Sequence, residues 1–65
     1  MRDINRIRPF CERLIKAWES APDLRFGQLI ENVFRSSSDD QFYIEDDEMI
    51  ERIEAFVRQF NMLYR

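Results

Sequence analysis

The residues best suited to chemistry in this 65-residue chain are carboxylates crowded into one stretch, positions 39–48. Clustered carboxylates bind calcium or magnesium, but a calcium loop needs alternating ligands, a central glycine and a distal glutamate. The glycine is missing here, and apolar residues interrupt the carboxylates. We therefore expect the acid-rich start of a helix; a docking surface for a basic partner and a divalent-cation-binding module are the alternatives. The acidic residues are Asp39, Asp40, Glu45, Asp46, Asp47 and Glu48.

Catalysis has little support in the sequence, because a carboxylate pair acting as acid and base needs a cleft and 65 residues leave little room for one. The sequence has no histidine, so neither a Ser–His nor a Cys–His arrangement can form. Its one cysteine, Cys11, falls on an apolar stripe, where a thiol is more often a packing residue than a nucleophile. A structural zinc site needs several Cys or His ligands. The sequence predicts a protein that is not an enzyme and holds no metal or other cofactor.

Length and composition predict one small globular domain over residues 1–65. The chain is 45% apolar and 35% charged, which is too apolar for a disordered tail. No apolar run reaches membrane-spanning length, and the first ten residues lack the apolar core of a signal peptide. We expect a cytoplasmic protein with no membrane association. A domain this short is marginal unless its helices pack well or it oligomerises.

Charge is divided unevenly along the chain. Residues 1–35 hold seven basic and five acidic side chains, whereas residues 36–65 hold three basic and eight acidic ones. Such polarity fits a chain that folds its ends together, pairs with a copy of itself or offers an acidic face to a basic partner. Three short helices could form a helix-turn-helix-like nucleic-acid-binding module, and a basic stripe on the first helix also favours that function. The net charge of −3 argues against that function. The stripe comprises Arg2, Arg6, Arg8, Arg13 and Lys16.

A first helix is predicted over residues 4–19. Asp3 can cap it, and Pro9 either kinks it or lies in its first turn. Its apolar residues recur mostly at spacings of three and four, which places them on one buried stripe. These residues are Ile4, Ile7, Cys11, Leu14, Ile15 and Trp18.

A second helix is predicted from Leu24 to Arg35, with Asp23 as its N-cap. The only glycine, Gly27, costs about 1 kcal/mol relative to alanine inside a helix. Close packing of a large side chain such as Trp18 over the missing Cβ is the favoured explanation; a backbone surface for a ligand is the alternative. The apolar stripe of this helix comprises Phe26, Leu29, Ile30 and Val33.

A third helix is predicted from Asp46 to Tyr64, after a polar loop over residues 35–41. The run 42–44 between them is expected to be extended, with its aromatic rings plugging the bundle. Glu48–Arg52 and Glu54–Arg58 have the spacing of favourable ion pairs. The broad apolar stripe of this helix is consistent with either core packing or a partner surface. It comprises Ile50, Ile53, Val57, Phe60 and Tyr64.

These elements predict an all-α fold, a small three-helix bundle with an acidic loop between its second and third helices. The best-supported function is that of a non-enzymatic protein–protein interaction module. A second copy would stabilise a bundle this small, and the opposite charges of its halves suit a two-fold homodimer.

Two motifs carry a resemblance to a known family. They are P-x-x-R-x-G-Q-L-I, residues 22–30, and F-Y-x-E-D-D-E, residues 42–48. With them the chain resembles a family of short bacterial and phage proteins of uncharacterised activity, over about residues 10–56. The resemblance implies that Arg25, Gln28 and the acidic segment act together, with Arg25 paired to Asp46 or Asp47. The candidate partner-binding residues are Arg25, Gln28, Phe42, Tyr43, Asp46 and Asp47.

Overall fold

A computed structural model describes residues 2–35 and 43–64. Within these ranges a 3₁₀ turn, Ile4–Arg6, precedes three α-helices: Ile7–Glu19 (α1), Phe26–Phe34 (α2) and Asp46–Tyr64 (α3). The described residues form no strand. The predicted all-α three-helix fold is therefore confirmed, and α3 has the predicted bounds. Residues 36–42 lie outside the described residues. They include most of the loop predicted over residues 35–41, with Asp39 and Asp40, and also Phe42.

The start of α1 resolves the question that Pro9 raises. Asp3 caps the 3₁₀ turn, because its side chain accepts a hydrogen bond from the Asn5 N–H at 2.9 Å. The α-helix begins at Ile7, so Pro9 lies in the first turn. Backbone nitrogens there have no intrahelical carbonyl to bond, and proline loses little. The disturbed first part of the predicted helix is thus a separate 3₁₀ turn.

The predicted start of α2 is wrong by two residues. Residues 21–24 form a turn in which the Leu24 N–H donates to the Ala21 carbonyl at 3.2 Å. The N-cap is Arg25, not Asp23, and its backbone N–H donates to the Gln28 side chain at 2.8 Å. A glutamine three residues after the cap satisfies an otherwise free N–H. The turn that reverses the chain after α1 therefore uses the residues that had been assigned to the cap and first turn.

The explanation predicted for Gly27 is also wrong. A Cβ built on Gly27 meets no atom within 4 Å. Trp18 instead stacks near Phe26, with ring centroids 5.4 Å apart. The Trp18 indole N–H donates to the Leu24 carbonyl at 2.7 Å, which turns the ring toward residues 24–26. No packing requirement for glycine follows from the fold.

Gly27→Ala is therefore expected to stabilise the protein. The backbone of Gly27 is helical, so alanine lowers the entropy of the unfolded chain without strain, for a gain of about 0.5–1 kcal/mol. This gain raises the melting temperature of so small a domain by a few degrees. Thermal denaturation followed by circular dichroism measures this gain. A lower melting temperature for Gly27→Ala would show that another group packs where the alanine Cβ has to lie.

Helix α3 is the centre of the bundle, and α1 runs parallel to it. Hydrogen bonds and ion pairs join residues 2–20 to residues 45–61, and the two members of each pair are 40 to 43 residues apart in the sequence. A constant separation of this kind requires the two segments to be parallel. Phe34 near the end of α2 lies under the Arg52 guanidinium of α3, 5.9 Å from the ring centroid. Asn32, earlier in α2, faces Phe56, later in α3. Helix α2 is therefore antiparallel to both α1 and α3.

The core is small and lies along one side of α3. Its buried apolar residues in the described ranges include two alanines, and the molecule measures only 17 Å in its shortest dimension. Helices α1 and α2 both pack on α3 but contact each other little. One side of α1 therefore has no neighbouring helix. The buried apolar residues are Ala17, Ala21, Leu29, Phe34, Ile50, Ile53 and Val57.

Helix α1 is rotated relative to the sequence prediction. Its contact with the core is made by Phe10, Leu14, Ala17 and the half-buried Trp18. Most of the predicted buried stripe is exposed, Cys11 included. Two contacts accompany this orientation: Arg13, on the opposite edge of α1, pairs with Glu54 of α3, and the small Ala17 is buried in the core. The exposed members of the predicted stripe are Ile4, Ile7, Cys11 and Ile15.

Candidate interaction surfaces

A row of arginine–carboxylate pairs joins the N-terminal part of the chain to α3. Arg2 binds Glu45 at 2.6 Å, and Arg6 lies 3.3 Å from Asp46. Each pair joins the basic part of the chain to the acidic part. The basic and acidic parts of the chain therefore meet within one molecule at these side chains, which is one of the three explanations considered for the uneven charge. Exposed ion pairs are individually weak, so their main effect is on alignment.

Arg13 continues the row by holding Glu54 with two hydrogen bonds, at 2.9 and 2.6 Å. Glu54 therefore pairs with Arg13 and not, as predicted, with Arg58. The predicted Glu48–Arg52 pair is confirmed at 3.3 Å. Hydrogen bonds from the arginines lower the pKa of Glu45 and of Glu54 below the ordinary glutamate value of 4.5. The same contacts raise the pKa of Arg2 and Arg13.

The lowered carboxyl pKa values predict an acid-dependent loss of stability. A glutamate whose pKa is lower in the folded state stabilises that state above its unfolded pKa. The contribution disappears as the pH falls from that value through the folded pKa. The melting temperature should therefore fall between about pH 5 and pH 3. It should fall less in the variant E45Q/E54Q, which lacks both titrations. Superimposable pH profiles of the two proteins would contradict this account.

The described part of the acidic segment, residues 45–48, makes its contacts within the fold. Glu45, Asp46 and Glu48 each face an arginine, and Asp47 accepts a hydrogen bond from the Glu48 N–H at 2.9 Å. Among the described residues, no group of three or more acidic or sulfur ligands could hold a metal ion. The carboxylates in this part of the chain instead form the first turn of α3, where they complement the helix dipole.

The residues expected to act together lie at opposite ends of the bundle. Arg25 and Gln28 follow the C-terminal end of α1, whereas Asp46 pairs with Arg6 before its N-terminal end. The intervening helix is about 18 Å long, at 1.5 Å per residue. In the described ranges Arg25 forms no ion pair with Asp46 or Asp47, so the expected tie between α2 and α3 is wrong.

The aromatic plug expected from residues 42–44 is contradicted at its centre. Tyr43 is 77% exposed, so its ring does not fill the bundle. Ile44 is half-buried. Phe42, the third residue of the run, lies outside the described residues. Tyr43 thus lies at the surface near the start of α3.

Three of the five basic side chains that could form a nucleic-acid stripe are occupied. Arg2, Arg6 and Arg13 each pair with a carboxylate of the α3 side. Phosphate binding would require these pairs to break or the acidic groups to lie beside the phosphates. The arrangement therefore leaves Arg8 and Lys16 as the members of this stripe without an ion pair in the described part of the chain.

The largest feature that the sequence prediction missed is an exposed apolar row on α1 and the 3₁₀ turn before it, here named the outer stripe: Ile4, Ile7, Cys11 and Ile15. The isoleucines are 75%, 47% and 54% exposed in that order. The half-buried Trp18 continues the row at the end of the helix. Large contiguous patches of exposed apolar surface mark interaction sites on proteins. The signal in the sequence was a second apolar face, formed by Phe10, Leu14 and the alanines, that competes for the core.

A second apolar surface lies at the end of α3 and is named here the terminal patch: Met62, Leu63 and Tyr64. These side chains are 84%, 67% and 73% exposed. The Tyr64 ring lies 5.0 Å from the ring of Phe60, which is partly buried. The predicted stripe of α3 is thus core at its start and surface at its end, because α1 ends beside Asn61, where the Asn61 amide lies 3.5 Å from the Ser20 hydroxyl.

In the described part of the chain no helix is both long enough and apolar enough to cross a membrane. Comparisons of the chain with protein-family models, with curated proteins and with solved structures gave no match.

Proposed function

We propose that this protein is a small non-enzymatic interaction module that binds a protein through the outer stripe of α1. The observation that carries the proposal is the exposure of Ile4, Ile7 and Ile15 along a helix that packs on α3 with its other side. Leaving three large aliphatic side chains in water forgoes about 1.5–3 kcal/mol for each that could be buried. A protein surface is the partner that recovers this free energy.

The chemistry of the other surfaces supports a binding role over catalysis. The sequence lacks histidine, and the acidic side chains beside the arginine row are engaged in ion pairs. The free and exposed Cys11 thiol fits a reducing compartment such as the cytoplasm. The proposed bacterial or phage origin rests on the resemblance of residues 22–30 and 42–48 alone.

The test compares wild-type protein with two variants that each add one glutamate. Ile15→Glu places a charge on the outer stripe, and Ala55→Glu places the same charge on the exposed side of α3. Immobilised wild-type and Ala55→Glu proteins should retain a protein ligand, supplied either as bacterial lysate or as the purified chain itself. Ile15→Glu should lose it while keeping its helical circular dichroism. Equal retention by all three folded proteins would contradict the proposal, and Leu63→Glu would then test the terminal patch.

A further inference from the structure

We propose that the partner of the outer stripe is a second copy of this chain, with the two α1 helices antiparallel about Cys11. This inference rests on the proposed function and names its ligand. The first argument is the spacing of the stripe. Counted from Cys11, the apolar residues stand at −7, −4, 0, +4 and +7: Ile4, Ile7, Cys11, Ile15 and Trp18.

The spacing is symmetric about its centre, so an antiparallel copy matches every apolar residue with another. Ile7 of one copy meets Ile15 of the second, and Ile4 meets the half-buried Trp18. The Cys11 side chains of the two copies face each other on the two-fold axis. Isologous interfaces require this self-complementarity, in which a residue i contacts j and j contacts i.

Charge complementarity selects the antiparallel direction. Arg8 and Glu12 are one helical turn apart and exposed beside the stripe, and neither forms an ion pair within the described residues. In the antiparallel register Glu12 of the second copy stands level with residue 10. It is then about 3 Å from Arg8 along the axis, at 1.5 Å per residue. Two equivalent Arg8–Glu12 pairs follow, whereas a parallel pair sets like charges at the same height.

The small core gives a reason for the second copy. The bundle is 17 Å thick and buries few large side chains in the described ranges. Domains of this size commonly gain stability by oligomerising. A second copy packed on the outer stripe would bury additional apolar surface. It would leave the arginine row intact, because Arg6 and Arg13 lie on the other edge of the first helix.

Sedimentation equilibrium of the purified full chain tests the inference. Wild-type protein should show twice the 8.0 kDa chain mass at high micromolar concentration, and Ala55→Glu should do the same. Ile15→Glu should raise the dimer dissociation constant at least about 100-fold, because each dimer loses two buried isoleucines.

Charge exchange tests the direction of pairing and does not depend on Ile15→Glu folding. Arg8→Glu and Glu12→Arg should each weaken the dimer by roughly threefold to tenfold, and R8E/E12R should restore it. A dimer indifferent to these changes overturns the antiparallel register. A monomeric wild-type chain overturns the inference altogether. If that monomer still retains another protein, and Ile15→Glu abolishes the retention, the proposed function stands without it; if it retains none, both fail.

Discussion

Leu29→Ala is expected to remove most of the stability of the protein at room temperature. The Leu29 side chain is fully buried in the core cluster, where α2 packs on α3. Removing its isobutyl group costs about 2–5 kcal/mol from lost burial and the cavity left behind. A domain of this length has a total stability of only about 3–5 kcal/mol. The cost of one side chain is therefore similar to the whole margin.

Urea denaturation followed by far-ultraviolet circular dichroism measures this effect. Leu63→Ala is the matched control, because it makes the same chemical change at a side chain that is 67% exposed. It should alter the free energy of unfolding of the chain by no more than about 0.5 kcal/mol. Similar losses for both variants would mean that the bundle does not pack through α2 as described.

Trp18→Ala is expected to cost about 3 kcal/mol, at the lower end for a large aromatic residue because Trp18 is only half-buried. The indole joins α1 to the segment that begins α2, through its contact with Phe26 and its hydrogen bond to the Leu24 carbonyl. Since α1 and α2 otherwise contact each other little, losing the ring removes the main link between them.

Trp18→Phe separates the two contributions of the indole. The phenyl ring keeps most of the contact with Phe26 but has no donor for the Leu24 carbonyl. The expected loss is about 1 kcal/mol, the usual net value of one hydrogen bond. Thermal or urea denaturation measures both variants. If Trp18→Phe costs as much as Trp18→Ala, the hydrogen bond rather than ring packing holds the turn.

Helical periodicity was sufficient to predict the elements but not the direction in which α1 faces. The stripe of α3 was read correctly as far as Val57, because its residues have no competing apolar face on the same helix. For the first helix, the prediction assigned the large side chains of Ile4, Ile7 and Ile15 to the core and left out the small Ala17. The structure buries Ala17 instead, since a small residue allows close helix packing and Arg13 must reach Glu54.

The charge layout shows the same limit. The sequence indicated that basic and acidic halves could meet, but the partner of each side chain depends on the parallel alignment of α1 and α3. That alignment depends on the turn after α1 and on the return of α2, whose starting residue was misplaced. The family resemblance paired Arg25 with Asp46 or Asp47, whereas the structure pairs Asp46 with Arg6. Turn geometry is a tertiary property that residue spacing alone does not specify.

The reactivity of Cys11 tests the central claim most directly, because this thiol lies in the middle of the outer stripe. In dilute protein it should react with a soluble disulfide reagent at the rate of an exposed cysteine. At concentrations where the stripe is covered, its rate should fall at least about tenfold, and Ile15→Glu should abolish that protection. A thiol that is slow at every concentration would show that the chain buries the stripe itself, and one that is fast at every concentration would show that no second copy covers it.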